Sequence, residues 1–126
     1  MKTLKTLFAV AVVALLFSQC KYDFIVPEEV IDPNDPDVED VSFSNEIVPI
    51  FTDNNCTACH GTGATAPDLT AANAYSSLVP KYVDLDSPEE SEIYTKPSPS
   101  GSHPQKYSEA EAALILTWIT QGAQNN

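Results

Sequence analysis

Arginine is absent from this chain and lysine is scarce: 6 lysines face 18 acidic side chains, for a formal charge of -12 and a pI near 4.2. That balance excludes nucleic acid as a partner, because phosphates are neutralised by Lys and Arg at the binding surface. It equally excludes attachment to anionic lipid by charge. Three cysteines are too few to staple 126 residues, which excludes a disulfide-dense scaffold. Histidine occurs only at positions 60 and 103 and methionine only at position 1, so residues able to hold a metal are few. The longest apolar run, Leu7 to Phe17, has eleven residues, against the ~20 a helix needs to cross ~30 Å of hydrocarbon. There is no internal repeat and no strand-like alternation of any length. At this length the chain holds one domain.

Lys2 and Lys5 precede the apolar run, so residues 1–19 read as a secretory signal peptide. It ends at Leu16-Phe17-Ser18-Gln19-Cys20, which resembles a bacterial lipobox, with Gln19 in place of the usual small residue. The resemblance implies cleavage before Cys20 and diacylglycerol on its thiol, a membrane anchor without a spanning segment. The other reading is ordinary signal-peptidase cleavage, with Cys20 free or lost. The expected location is the cell envelope, on the periplasmic or outer-membrane face. Losing residues 1–19 removes two lysines and no acid, leaving 4 lysines against 18 acids, a charge of -14.

Residues 20–41 read as the lipidated cysteine followed by an acidic, proline-rich tether. Eight of the 18 acids lie there with Pro27, Pro33 and Pro36, and no helical or strand period is sustained. Repelling charges and prolines keep such a segment extended. The alternative is an arm lying on the domain through Phe24, Ile25 and Val26.

The folded part, 42–126, is expected to be all-α, with about four short helices. Ser108 and Glu111 form a capping box, Ile115, Trp118 and Ile119 recur on one face, and Gly122 supplies the stop. A second start stands at Ser87-Pro88-Glu89-Glu90, predicting a helix that carries Ile93 and Tyr94 inward and ends before Pro97. A first helix is expected over Phe43 to Asn54 with a kink at Pro49, and a short one over Ala71 to Leu78, ended by Pro80. Four such helices make a thin core, marginal unless something else fills it.

Cys56-Thr57-Ala58-Cys59-His60 is the attachment pattern for c-type haem. On one turn both thiols face the same side at the spacing of the haem vinyl groups, and the next imidazole reaches iron. Three other chemistries use similar residues. Zinc would take Cys56, Cys59, His60 and His103, though adjacent Cys59 and His60 crowd one tetrahedral site. A thioredoxin-like pair expects a βαβ context, which is missing, and a structural disulfide suits an oxidising compartment. The export signal and the helix before the motif favour covalent haem.

From Ser42 to Gln124 the chain resembles the small monohaem c-type cytochrome domains of bacterial secreted proteins and lipoproteins, those of Bacteroidetes in particular. Phe43 to Phe51, with Ile47-Val48-Pro49-Ile50, is similar to their first helix. Cys59-His60-Gly61 with Ala66-Pro67-Asp68-Leu69 is similar to their proximal loop, and Ser108 to Ala123 to their terminal helix. The resemblance implies a cytochrome c-like fold and electron transfer without catalysis. It also implies a carbonyl near Pro67 that accepts the other ring N–H of His60. Leu69, Tyr75, Tyr94, Trp118 and Ile119 are expected to wall the haem.

The family's second axial ligand is usually a methionine before the last helix, and no methionine stands there. The loop Ser98 to Pro104 presents His103 instead, so bis-histidine ligation by His60 and His103 is expected. Lys106, or an iron left open to a small ligand as in a sensing module, are the alternatives, and a solvated loop histidine is the bland reading of His103. Histidine in place of methionine is expected to lower the reduction potential, and the negative charge to favour a basic redox partner protein.

Overall fold

The computed structural model describes residues 30–126 apart from positions 34 and 36. The expected signal peptide, Cys20 and the first part of the tether, Phe24 to Val26 included, lie outside the described residues. Among the described residues there are helices and no strand, as expected of an all-α chain. No helix among them is long and apolar enough to cross a membrane.

Ser42 opens the first helical segment: its hydroxyl accepts the Asn45 N–H at 3.3 Å and its own N–H donates to Glu46 Oε2 at 2.6 Å. Phe43–Ile47 is a single wide π turn, in which the Val48 N–H reaches back to Phe43 O. It runs directly into α1, Val48–Asp53. Pro49 lies in the first turn of α1 and has no N–H to give to a carbonyl four residues back. The expected kink therefore takes the form of a change of winding, from π to α, where the missing donor costs least. Asn126 closes this end: its Oδ1 accepts from Phe43 N–H at 2.8 Å and its carbonyl from Ser44 N–H at 3.0 Å. Those N–H groups are first-turn donors with no partner inside the helix.

The short helix expected from Ala71 begins later, as α2, Ala74–Leu78. Asp68 holds the preceding turn, with Oδ1 accepting from Thr70 N–H at 3.0 Å and Thr70 Oγ1 at 2.6 Å, and Oδ2 from Asn73 Nδ2 at 2.9 Å. Val79 is extended at the end of α2, as the residue before a proline prefers to be.

The helix predicted from Ser87 is broken in two. Pro88–Glu90 forms one 3₁₀ turn, and α3, Glu92–Thr95, starts afresh after Ser91. Ser87 makes no side-chain cap; its N–H donates to Asp84 Oδ1 at 3.0 Å. Ser91 is buried and extended (φ -53°, ψ 130°), and its hydroxyl accepts from Asp84 N–H at 2.9 Å. That bond, with Ile93 N–H to Tyr82 O at 3.2 Å, fixes the break.

The last helix, α4, Glu109–Thr120, has both halves of its capping box: Glu111 N–H to Ser108 Oγ at 3.2 Å and Ser108 N–H to Glu111 Oε2 at 2.7 Å. It ends in a Schellman motif, with Gly122 N–H on Ile119 O and Ala123 N–H on Trp118 O, both at 2.9 Å, and Gly122 at φ 97°. The π turn, the Pro88–Glu90 turn and α3 all pack on α4. Trp118, Phe51, Ile47, Leu78, Ile115 and Ile119 are sealed in the core between them, each side chain contributing about 1.5–3 kcal/mol by burial. The Phe43 ring stands 5.1 Å from Trp118 and 5.3 Å, edge-on, from Tyr75. The polar tips of the last two are tied to the carboxy-terminal tail, Trp118 Nε1 to Gln124 O at 2.9 Å and Tyr75 O–H to Ala123 O at 3.0 Å.

The packed body reaches back past position 42. Val41 is buried, its N–H donates to Gln121 Oε1 at 2.8 Å, and Gln121 Nε2 donates to Glu39 O at 3.1 Å. The last residues of the acidic segment are thus fastened to the end of α4.

Candidate functional site

After α1, Asn54 closes the helix and Asn55 takes a left-handed conformation (φ 55°), which turns the chain into the 3₁₀ turn Cys56–Ala58. Cys56 opens the turn and Cys59 caps it, three residues on. Both thiols are free, Cys56 buried and Cys59 exposed. Burial pushes the Cys56 thiol above its ordinary range; a backbone hydrogen bond opposes this and the Glu111 charge adds to it.

His60 follows, its N–H on Cys56 O at 2.9 Å. The loop after it folds back over the ring. Thr65 N–H donates to Cys59 O at 3.1 Å and Leu69 N–H to His60 O at 2.7 Å. Gly61 permits this path, since a Cβ there would come within 2.8 Å of Thr57 O. Two carbonyls of the loop, Thr65 O and Pro67 O, each lie 3.1 Å from His60 Nδ1. Facing two acceptors, Nδ1 carries the proton, and in the neutral ring Nε2 is left as a bare lone pair. That is the tautomer a metal-binding imidazole uses when its other nitrogen is held by a carbonyl.

His103 comes from the loop between α3 and α4. Its N–H donates to Lys96 O at 3.1 Å, and its Nδ1 sits 3.0 Å from Gln105 O and 3.2 Å from Gln105 N. Gln105 thus serves either tautomer. The two imidazoles face each other with ring centroids 5.9 Å apart and planes inclined by 36°. Lys106, the alternative ligand, donates from Nζ to Gly101 O and, at 3.4 Å, to Pro99 O. It does not line the cavity between the histidines.

That cavity has a volume of about 310 Å³ and gathers Cys56, His60, Pro67, Leu69 and His103, all marked by the sequence, with Tyr82, Glu92, Ile93, Lys96 and Tyr107 among the rest of its wall. Cys59 is not part of the wall. Neither are Trp118, Tyr94, Tyr75 and Ile119, which were also expected beside the haem from the sequence. Trp118 and Ile119 lie on the core face of α4, 1% exposed. Tyr75 packs on Phe43 instead. The break at Ser91 sets the phase of α3 so that Glu92, Ile93 and Lys96 reach the cavity and Tyr94 packs on the core.

Sequence reasoning missed Tyr107, although its signal is present. It occupies the position before the Ser108 cap, where an apolar residue packs on the fourth helical residue, here Ala112, and both are buried. Burial pushes the Tyr107 phenol well above its ordinary range, with Cys56 and Glu111 adding to the effect.

The donor set bears on which group suits the cavity. Among the described residues no three His, Cys, Asp or Glu side chains converge to hold a metal ion by themselves. Two facing imidazoles between apolar walls, beside a free thiol, instead suit a group that brings most of its own ligands to the metal. No protein-family model matches the chain, and neither a curated protein nor a solved structure matches it.

Proposed function

We propose that the chain is a monohaem c-type cytochrome, anchored in the cell envelope through lipid on Cys20, that carries electrons and catalyses no reaction of its own. Its fold on this reading is cytochrome c-like, with one haem held covalently by Cys56 and Cys59 and ligated by His60 and His103. The observation that carries the reading is the pair of imidazoles 5.9 Å apart across one apolar cavity, one of them with Nδ1 locked on two carbonyls.

Bound haem supplies one-electron exchange between ferric and ferrous iron. The chain's own residues do the rest. Thr65 and Pro67 carbonyls orient His60 and raise its basicity. Lys96 O and Gln105 hold His103 opposite. Leu69, Ile93, Tyr82 and Pro67 line the space between. A second reading, a haem module that binds a small ligand by displacing His103, is favoured by one feature: His103 stands on a loop and is held by main-chain neighbours alone.

Protein made with the haem-attachment machinery is expected to give the pyridine haemochrome spectrum of thioether-linked haem; its absence overturns the proposal. The oxidised protein is expected to be low-spin, and His103→Ala to become high-spin and bind carbon monoxide on reduction. An unchanged low-spin spectrum in His103→Ala removes His103 from the ligand set, and tight carbon monoxide binding by the unsubstituted protein selects the second reading.

A further inference from the structure

One peptide of the loop over His60 is held from both sides. Its carbonyl, Pro67 O, lies 3.1 Å from His60 Nδ1, and its N–H, on Asp68, donates to Ser77 Oγ at 2.7 Å. The two groups of a trans peptide point in opposite directions, so this single unit spans from the imidazole to the flank of α2. Ser77 is half-buried there, on a helix that Ala74 and Leu78 seat fully in the core. The other carbonyl at Nδ1 has no such backing. Thr65 is exposed, and among the described residues nothing accepts from the Ala66 N–H that shares its peptide. A hydrogen bond given by Asp68 N–H draws electron density along the amide toward Pro67 O, and bonds in such a chain strengthen one another. A stronger acceptor at Nδ1–H makes the free ring nitrogen more basic.

We infer that Ser77 is a positioning residue for His60: its hydroxyl, acting through the Pro67–Asp68 peptide, orients the imidazole and sets how strongly it donates to a metal. The inference rests on the haem reading above and deepens it, by reaching a residue outside the cavity wall. On that reading a more basic imidazole favours ferric over ferrous iron. Ser77 therefore holds the reduction potential down.

Ser77→Ala removes the acceptor and leaves the loop sequence untouched. With haem attached, the potential is expected to rise, by up to about tenfold in the ferric–ferrous equilibrium, about 59 mV for one electron. In the reduced protein the Nδ1 proton of His60 should move upfield in the NMR spectrum and exchange faster with solvent. Ser77→Thr keeps a hydroxyl on the same carbon and should restore both values. Ser76→Ala is the control: it loses a neighbouring hydroxyl of α2 that bonds Asn73 O at 3.0 Å, away from the loop, and should move neither. Attached haem with potential and ring proton both unmoved in Ser77→Ala overturns this inference alone. An equal shift in Ser76→Ala does the same, since it marks a general loosening of α2. Absence of covalent haem overturns the cytochrome reading and this inference with it.

Discussion

Gly101 carries no reactive group, yet the placing of His103 depends on it. A Cβ at this position would run into the carbonyl oxygens of Lys96 and Thr95, and Lys96 O is the acceptor that holds the His103 N–H. Gly101→Ala is therefore expected to push the loop off the end of α3, costing about 1–3 kcal/mol as overpacking does. In the haem-loaded protein it should raise the high-spin fraction while leaving the thioether signal intact. Thermal unfolding and the oxidised absorption spectrum check the two effects, and unchanged values in both would show that the close approach is not needed. At this scale the sequence marks residues whose chemistry is rare in the chain. Two histidines and one Cys-X-X-Cys-His leave little choice, and the structure gathers Cys56, His60 and His103 at one cavity. Gly101 is invisible in sequence because its role is set by carbonyls that only the folded loop brings near. Trp118 reads two ways for the converse reason: its size suits a cofactor wall and a core equally, and its side chain is buried in the core.

Between residues and the fold, capping decides where helices begin, and its two serine signals have opposite outcomes. Ser108 and Glu111 make both bonds of their box because an apolar face follows for three turns. Ser87 makes none, because Asp84, three residues earlier, already captures its N–H and Ser91 is pulled into the core. Tertiary bonds from outside the segment override a local motif that reads equally well in sequence. The same competition shortens α2, where Asp68 gathers Thr70 and Asn73 into a turn before Ala74. Hydrogen bonds, first from the Thr70 side chain and then from its backbone N–H, hold the Asp68 carboxyl down to about 2. A carboxyl lowered on folding stabilises the native state above its unfolded pKa of ~3.9, and that contribution is lost as pH falls through the folded value. Stability is thus expected to drop between pH 4 and pH 2 through this group, and Asp68→Asn to be less stable at neutral pH and flatter across that window. Melts at pH 7, 4 and 2 test this, and parallel profiles for the two proteins would remove Asp68 from the account. Because Asp68 stands next to Pro67, the variant should also loosen the carbonyl that holds His60.

For the molecule as a whole, the charge is uneven. Over 42–126 there are ten acids and three lysines, and five of the ten, Asp84, Asp86, Glu89, Glu90 and Glu92, fall within nine residues. All five are exposed. Glu92 also lines the cavity, where its carboxylate pairs with Lys96 at 2.7 Å across two exposed side chains, so that pair is screened by water and worth little. The acidic run therefore reaches the cavity through Glu92, and on the proposed cytochrome reading its field would act where an electron leaves or enters. A basic protein approaching this face is steered toward the cavity rim, and steering of this kind raises association rates by about 10–10³ at low salt. Exposed charges lose their reach beyond a Debye length, ~10 Å at 0.1 M salt. Reduction of the haem-loaded protein by a small redox protein of net positive charge is expected to slow steeply from about 0.01 to 0.5 M salt, where screening shortens. With an acidic redox protein of the same potential the rate should rise instead. Replacing Asp86, Glu89 and Glu90 together by neutral amides should flatten both dependences, as these three lie outside the cavity wall and leave its geometry intact. Stopped-flow rates across that salt range measure the effect. Equal slopes for the two partners would place the docking face elsewhere and reduce the acidity of the chain to a matter of solubility.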